Sequence, residues 1–162
     1  MVNRQWLISS RPTGMVSEDN FTLVNSDMPV PDLASGEVLI KNLMLSFDPA
    51  MRGWVSAVAN YSEPVAIGAV MRSIAVGEVV ESRHPDYAAG DWVTGMFGWQ
   101  DFAVSDGSTV WFKDTHADLP RTASLGVLGL NGLTAYFGLL DAGAPRAGQT
   151  VVVSTAAGAV GS

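Results

Sequence analysis

The last twelve residues constrain the fold more than any other stretch of this chain. They read Val151-Val152-Val153-Ser154-Thr155-Ala156-Ala157-Gly158-Ala159-Val160-Gly161-Ser162. A β-branched run passes straight into a turn of small residues with glycines three apart. β-Branched side chains favour extended backbone. Small residues let backbone N–H groups approach a pyrophosphate, and a helix that follows turns its positive end toward it. This is how a strand enters the phosphate-binding turn of a nucleotide-binding α/β fold. The pattern predicts a strand from Val151. It also leads us to expect a longer parent chain, with the helix and the rest of that fold beyond Ser162.

Upstream the texture is different. Residues 4–9 alternate well enough for a first strand. Pro29-Val30-Pro31 and Ser35-Gly36 mark a turn, and residues 37–46 read as a strand of mixed burial. Asp48 before Pro49 predicts an N-cap and a short helix over residues 50–54. Residues 74–82 form another expected strand, with Gly77 marking a bulge or a close backbone approach. A turn at Tyr87-Ala88-Ala89-Gly90-Asp91 leads to strands over residues 92–97 and 99–104. Short strands at this spacing, broken by Gly and Pro, predict a compact barrel. After Pro120 the reading changes to helix, over residues 122–126 and 134–140, until Gly143-Ala144-Pro145 and Gly148 stop it. A domain change is expected near residues 120–130.

Composition removes several classes of function. The chain has 162 residues, 48% hydrophobic, enough to bury a sizeable core. Its net charge is -7 and its only lysines are Lys41 and Lys113, so it lacks the basic cluster that nucleic acid demands. Without cysteine there is neither a disulfide nor a thiolate metal site. The N-terminal residues carry no signal-peptide core, and no segment is apolar for the length of a membrane span. A cytoplasmic protein with neither membrane nor nucleic-acid partners is expected. Glu78 and Glu81 share a strand at odd spacing, so they face opposite ways and are not a carboxylate pair.

Four stretches together resemble one family. They are Leu45-Ser46-Phe47-Asp48-Pro49-Ala50-Met51-Arg52-Gly53, the pair Trp99-Gln100 followed by Asp106-Gly107, Gly129-Leu130-Asn131-Gly132-Leu133-Thr134-Ala135-Tyr136-Phe137-Gly138-Leu139-Leu140, and the glycine turn from Ala156 to Ser162. The chain resembles the zinc-independent group of the medium-chain dehydrogenase/reductase superfamily. That group holds prostaglandin reductases, leukotriene dehydrogenases, alkenal double-bond reductases and curcumin reductases. The resemblance implies a mainly β fold with some α. A GroES-like catalytic barrel over residues 1–125 would be followed by the start of a Rossmann α/β domain over residues 126–162.

The resemblance also implies the chemistry. Zinc members of the superfamily use cysteine and histidine ligands. This chain has no cysteine and only His84 and His116, both read as exposed loop residues, so no metal site is expected. NADP is the implied cofactor. Pro49, Ala50, Leu130, Thr134, Ala157, Gly158, Ala159, Val160 and Gly161 are the implied cofactor-binding residues. Thr134 has an alternative use, since a threonine within a helix often bonds its own backbone. Met51, Arg52, Met96, Phe97 and Trp99 are implied to line the substrate cleft, although the last three read equally well as barrel core and Arg52 as a structural arginine. Tyr136 and Phe137 read as core. Many members have tyrosine where this chain has Ala50, which predicts a reshaped pocket. No general acid stands out, and the proton-donating tyrosine of the family is expected beyond Ser162.

The expected activity is NADPH-dependent reduction of the double bond of α,β-unsaturated aldehydes or ketones by hydride transfer. A quinone reductase of the same superfamily and a non-catalytic member are the alternatives. The parent is expected to be a homodimer. The chain by itself is expected to be inactive, with residues 151–154 an unshielded strand edge open to pairing with another copy.

Overall fold

The computed structural model describes residues 2–27, 32–58, 62–116 and 118–162. The turn expected at Pro29-Val30-Pro31 lies outside them. The chain divides into two compact units, Met1–Thr115 and His116–Ser162. Among the described residues no helix is long and apolar enough to cross a membrane.

The first unit is built on two antiparallel sheets. Strands β1 (Val2–Ile8) and β2 (Phe21–Asp27) form a two-stranded ribbon, with Trp6 opposite Leu23. The larger sheet contains β3 (Val38–Leu45), β4 (Ala75–Ser82), β5 (Trp92–Gly95), β6 (Phe102–Ser105) and β7 (Val110–Lys113). Its order is β6-β3-β4-β5-β7. Consecutive strands β6 and β7 therefore occupy opposite edges. In a flat sheet those edges would lie about 19 Å apart, four strand spacings. The connection is only residues 106–109, closed by the Val110 N–H to the Gly107 carbonyl at 3.0 Å and by a 2.6 Å bond between the Ser105 and Thr109 hydroxyls. Only a rolled sheet brings its edges that close, and this is the barrel expected from the strand spacing.

Gly77 shows both features read from its sequence. It pairs with Asn42, and the β3–β4 register shifts on either side, at Leu39/Ile40 and Asn42/Met44. A Cβ at Gly77 would lie 2.5 Å from the Ile40 side chain and 2.7 Å from the Lys41 carbonyl, so the strands approach only because it is absent. Val38, Ile40, Val79, Val93 and Phe97 pack the barrel interior. A second cluster, with Ile8, Met51, Trp54, Val65 and Met71, packs the short helix α1 (Ala50–Trp54) against β1.

Several local expectations need correction. The cap of α1 is Pro49, not Asp48, and no side chain makes a capping bond; the Asp48 carbonyl, rather than its carboxylate, accepts from the Met51 N–H at 2.9 Å. The strand expected from Trp99 starts only at Phe102, because residues 98–101 bond across to β1 and to the segment around Met71. Strands β2 and β7 were not anticipated: neither contains a fully buried residue, so their apolar alternation is weak. His84 is largely buried rather than exposed. Its ring lies 4.8 Å from that of Tyr87, its Nδ1 accepts from the Asp86 N–H, and a Cβ on Gly107 would meet it at 2.8 Å.

The second unit starts with a 3₁₀ turn, Arg121–Leu125, tighter than the helix expected there. Helix α2 (Leu130–Phe137) continues as a π-helical turn, Gly138–Ala142. A Cβ at Gly132 would overlap the Val127 carbonyl, so this glycine lets the approaching loop lie directly on the helix. Tyr136 and Phe137 are exposed and pack edge-on against each other, not in a core. The strand expected from Val151 is absent: residues 151–153 have no regular structure, and Val152 is 88% exposed. No described residue of His116–Ser162 forms a strand, so the valine run has no neighbour to take its hydrogen bonds.

Candidate functional site

The segment leaving β3 builds one wall of a cavity of about 370 Å³ in the first unit. The Ser46 N–H donates to the Ile74 carbonyl at 2.9 Å, and the Ser73 hydroxyl donates back to the Ser46 carbonyl at 3.0 Å. These bonds hold the chain as Phe47, Asp48 and Pro49 turn into α1. Phe47, Asp48, Pro49, Met51 and Arg52 all line the cavity, with Trp99 opposite. Ala50 packs instead toward the α1 cluster.

Trp99 is held from two sides. Its carbonyl accepts from the Trp6 N–H at 2.9 Å, and its N–H donates to the Met71 carbonyl at 2.8 Å. Two residues on, Asp101 receives the forked Arg4 guanidinium at 2.8 and 2.9 Å and the Arg4 backbone N–H at 2.9 Å. The Arg4 side-chain hydrogen bond is the main reason that the Asp101 carboxyl lies below its ordinary value. The loop carrying Trp99 is thus pinned to β1 at both ends. The indole ring lies 5.3 Å from Phe21 and 5.4 Å from Phe47.

Two polar atoms at this cavity are unusual. Asp48 Oδ2 and Trp99 Nε1 are shielded from water and have no hydrogen-bond partner among the described residues. Leaving such groups unmade typically costs ~1–3 kcal/mol each. Arg52 is engaged structurally: its two terminal nitrogens donate to the Ser56 hydroxyl and the Gly14 carbonyl, both at 3.0 Å.

The structure therefore brings Pro49, Met51, Arg52 and Trp99 to one place. Met96 and Phe97 line a different cavity with Arg72 and Gln100, and Phe97 belongs to the barrel core. Val16, Phe21, Phe47, Val55 and Met71 complete the first cavity and were not singled out from sequence. Phe47 lay within a family-like stretch and carried a signal. Val16, in irregular chain, and Phe21, at the start of β2, carried none.

In the second unit, the glycine turn and the start of α2 enclose a cavity of about 660 Å³. Ala159 and Val160 face Gly126, Asn131, Gly132 and Tyr136 across it. Leu130 and Thr134 do not line it; the Thr134 hydroxyl donates to the Leu130 carbonyl at 2.6 Å, one helical turn back. The turn winds on itself through bonds from the Gly158 N–H to the Thr155 carbonyl at 2.8 Å and from the Ser162 N–H to the Gly158 carbonyl at 3.0 Å. A Cβ at Gly161 would run into the Thr155 carbonyl. The two bonds above use the Gly158 and Ser162 N–H groups within the turn, where a pyrophosphate turn presents such groups outward.

Residues 4–112 match the family described as the N-terminal domain of oxidoreductase. The chain belongs to this family, within the zinc-independent medium-chain dehydrogenase/reductase group. It is 48% identical over 159 residues to the NADPH-dependent curcumin reductase of Escherichia coli, covering 98% of this chain and 45% of that protein. It is 36% identical over 162 residues to an NADP-dependent 2-alkenal reductase of Nicotiana tabacum, covering 98% of this chain and 47% of the relative. The fold superposes on a structure of CurA from Vibrio vulnificus in complex with NADPH with a TM-score of 0.83 and 44% identity, over 98% of this chain and 46% of that one. The chain thus spans about half the length of the relatives it matches. The barrel strands and the site on α1 lie within the family match, up to residue 112.

Proposed function

We propose that this chain is the N-terminal portion of an NADPH-dependent reductase that acts, without zinc, on the double bond of α,β-unsaturated aldehydes and ketones. The observation that carries this reading is the apolar cavity on Phe47, Pro49 and Met51, in a member of an oxidoreductase family whose relatives are named as NADPH-dependent reductases. In this reading residues 1–125 form the catalytic barrel and residues 126–162 open the NADP-binding domain. The cofactor would be held by Pro49, Ala50, Leu130, Thr134, Ala157, Gly158, Ala159, Val160 and Gly161. When bound, the nicotinamide supplies a hydride to the substrate β-carbon, and the substrate's own carbonyl delocalises the charge that results.

The contribution of this chain is placement and exclusion of water. Met51 and Trp99 would offer an apolar wall that orients the substrate, with Arg52 lining the same cavity; Met96 and Phe97 line a separate one. Holding reactants in a fixed, dry geometry accounts for several kcal/mol, roughly 7–11 at best, of barrier reduction in such transfers. None of these residues is a proton donor, so the α-carbon proton would come from elsewhere in the protein or from solvent. By family resemblance, the protein acts in the cytoplasm as a homodimer.

The test is NADPH consumption by the full-length protein, with a medium-chain 2-alkenal and a simple quinone assayed in parallel. Turnover of the alkenal is expected. Turnover of the quinone alone, or of neither, overturns the reading.

A further inference from the structure

We propose that Met15 is a site of oxidation by hydroperoxides, and that a sulfoxide there releases the strap of residues 11–16 from its tie to α1. Neither step depends on the reductase reading above.

The first observation is exposure. Met15 is 93% exposed, whereas Met51 and Met71 are 8% and 1% exposed. Met44 and Met96 are half-buried. A thioether reacts with a peroxide only where the peroxide reaches its sulfur. Among the described methionines, Met15 is therefore the one whose sulfur stands open to solvent.

The second observation is how the strap is fastened. One side chain closes its neck: the Asn20 amide nitrogen donates to the Ser10 hydroxyl at 3.0 Å, and the Asn20 side-chain oxygen accepts from the Ser17 N–H at 2.9 Å. Arg11 fastens the first half, donating to the Val55 and Val65 carbonyls. The second half is tied by the Arg52 guanidinium, which donates to the Gly14 carbonyl at 3.0 Å. Arg52 belongs to α1, and Val16 lines the cavity beside that helix. Gly14-Met15-Val16 thus places an exposed sulfur between a tethered carbonyl and a cavity wall.

The chemistry joins the two observations. Methionine Sδ attacks the terminal peroxide oxygen; an S–O bond forms and the O–O bond breaks. The hydroxyl proton passes to the departing oxygen. The thioether is oxidised to a sulfoxide and the hydroperoxide is reduced to an alcohol, or to water if it is hydrogen peroxide. A thioether is a weak acceptor, whereas the sulfoxide is polar and carries a new oxygen. On the residue next to Gly14, that oxygen competes for the Arg52 guanidinium, whose other terminal nitrogen is held by the Ser56 hydroxyl. Loss of the Gly14 tie frees the second half of the strap, while the neck at Asn20 and the fastening at Arg11 remain.

The experiment treats full-length wild type, Met15→Leu and Met15→Gln with dilute hydrogen peroxide. Peptides are mapped by mass spectrometry, and backbone hydrogen exchange is followed before and after treatment. Met15 is expected to gain one oxygen on the order of tenfold faster than Met51 or Met71, the contrast that exposure imposes. Exchange over residues 13–17 then rises by about three- to tenfold in oxidised wild type, the factor that one ordinary hydrogen bond supplies. Met15→Gln, which carries an amide oxygen of similar reach, shows the rise without peroxide. Met15→Leu, which has no sulfur to oxidise there, shows none in either condition. Oxidation of Met51 or Met71 as fast as Met15 overturns the proposal. Strap exchange that stays unchanged in oxidised wild type or in Met15→Gln, or that rises equally in treated Met15→Leu, overturns it as well.

Discussion

Residues 1–115 and 116–162 handle the same kind of side chain in opposite ways. In the first unit β-branched residues disappear: Val38, Ile40, Val76, Val79 and Val93 are fully buried between hydrogen-bonded strands. In the second, Val151, Val152 and Val153 are all exposed, and no described residue pairs with them. Helix α2 likewise has no buried residue, although Leu130, Leu133, Tyr136 and Phe137 are large and apolar. The difference is not in residue type. A strand exists only when a neighbour accepts its N–H and C=O groups. An apolar helical face is stabilised only when a second layer covers it. The first unit contains its own neighbours; within the second, residues expected to behave as strand and core have none.

Mutation can break this contrast. The largest effect is expected for Ile40→Ala, which empties a fully buried site between β3 and the rolled sheet. It should lower the stability of the first unit by about 2–5 kcal/mol in denaturant unfolding. A loss under about 1 kcal/mol, outside that range, would mean that the barrel interior is loosely packed.

Gly132→Ala tests the second unit. The added methyl would meet the Val127 backbone. Overpacking of this kind costs roughly 1–3 kcal/mol and should appear as lost helical circular dichroism while the sheet transition stays in place. A shift of both signals together would show that the two units unfold as one.

Asp101→Asn comes next. Asp101 is held below its ordinary value of 3.8, first by the Arg4 side-chain hydrogen bond. With a folded value below the unfolded one, the unfolded chain binds more protons in acid. The contribution is complete above about pH 4 and is lost as pH falls through the folded value. The pair is partly exposed, so roughly 0.5–1 kcal/mol is expected. The difference between wild type and Asp101→Asn should therefore be present at neutral pH and disappear as pH falls through the lowered value. A difference that does not change with pH would assign the role of Asp101 to packing.

The smallest effect belongs to Val152→Thr. At 88% exposed, Val152 has no burial to lose, and a change within about 0.5 kcal/mol is expected for this chain. A larger loss would show that residues 151–153 pair in solution, with the edge of another copy as the partner to look for by light scattering. Backbone hydrogen exchange gives the complementary comparison: slow at Ile40, fast at Val152.

Much was legible before any coordinates. The helix over residues 50–54 and the strands around residues 38–45 and 75–82 follow from local turn chemistry and alternation, because each of those signals acts over a few residues. The constraint at Gly77 was visible for the same reason, since a lone glycine in a strand has few other uses. The glycine turn and the family stretches also marked where the two candidate sites lie. Tertiary structure decided the rest. It set Trp99 opposite Phe47, through backbone bonds between residues more than 90 positions apart, Trp6 and Trp99. It sent Phe97 into the core, buried His84 against Tyr87, and drew β2 and β7 from weakly patterned sequence. Local pattern fixes which backbone shapes are cheap, but a hydrogen-bonded strand, a buried ring and a cavity wall each need a second segment. Which segment arrives is a property of the whole fold, and short-range pattern carries no record of it.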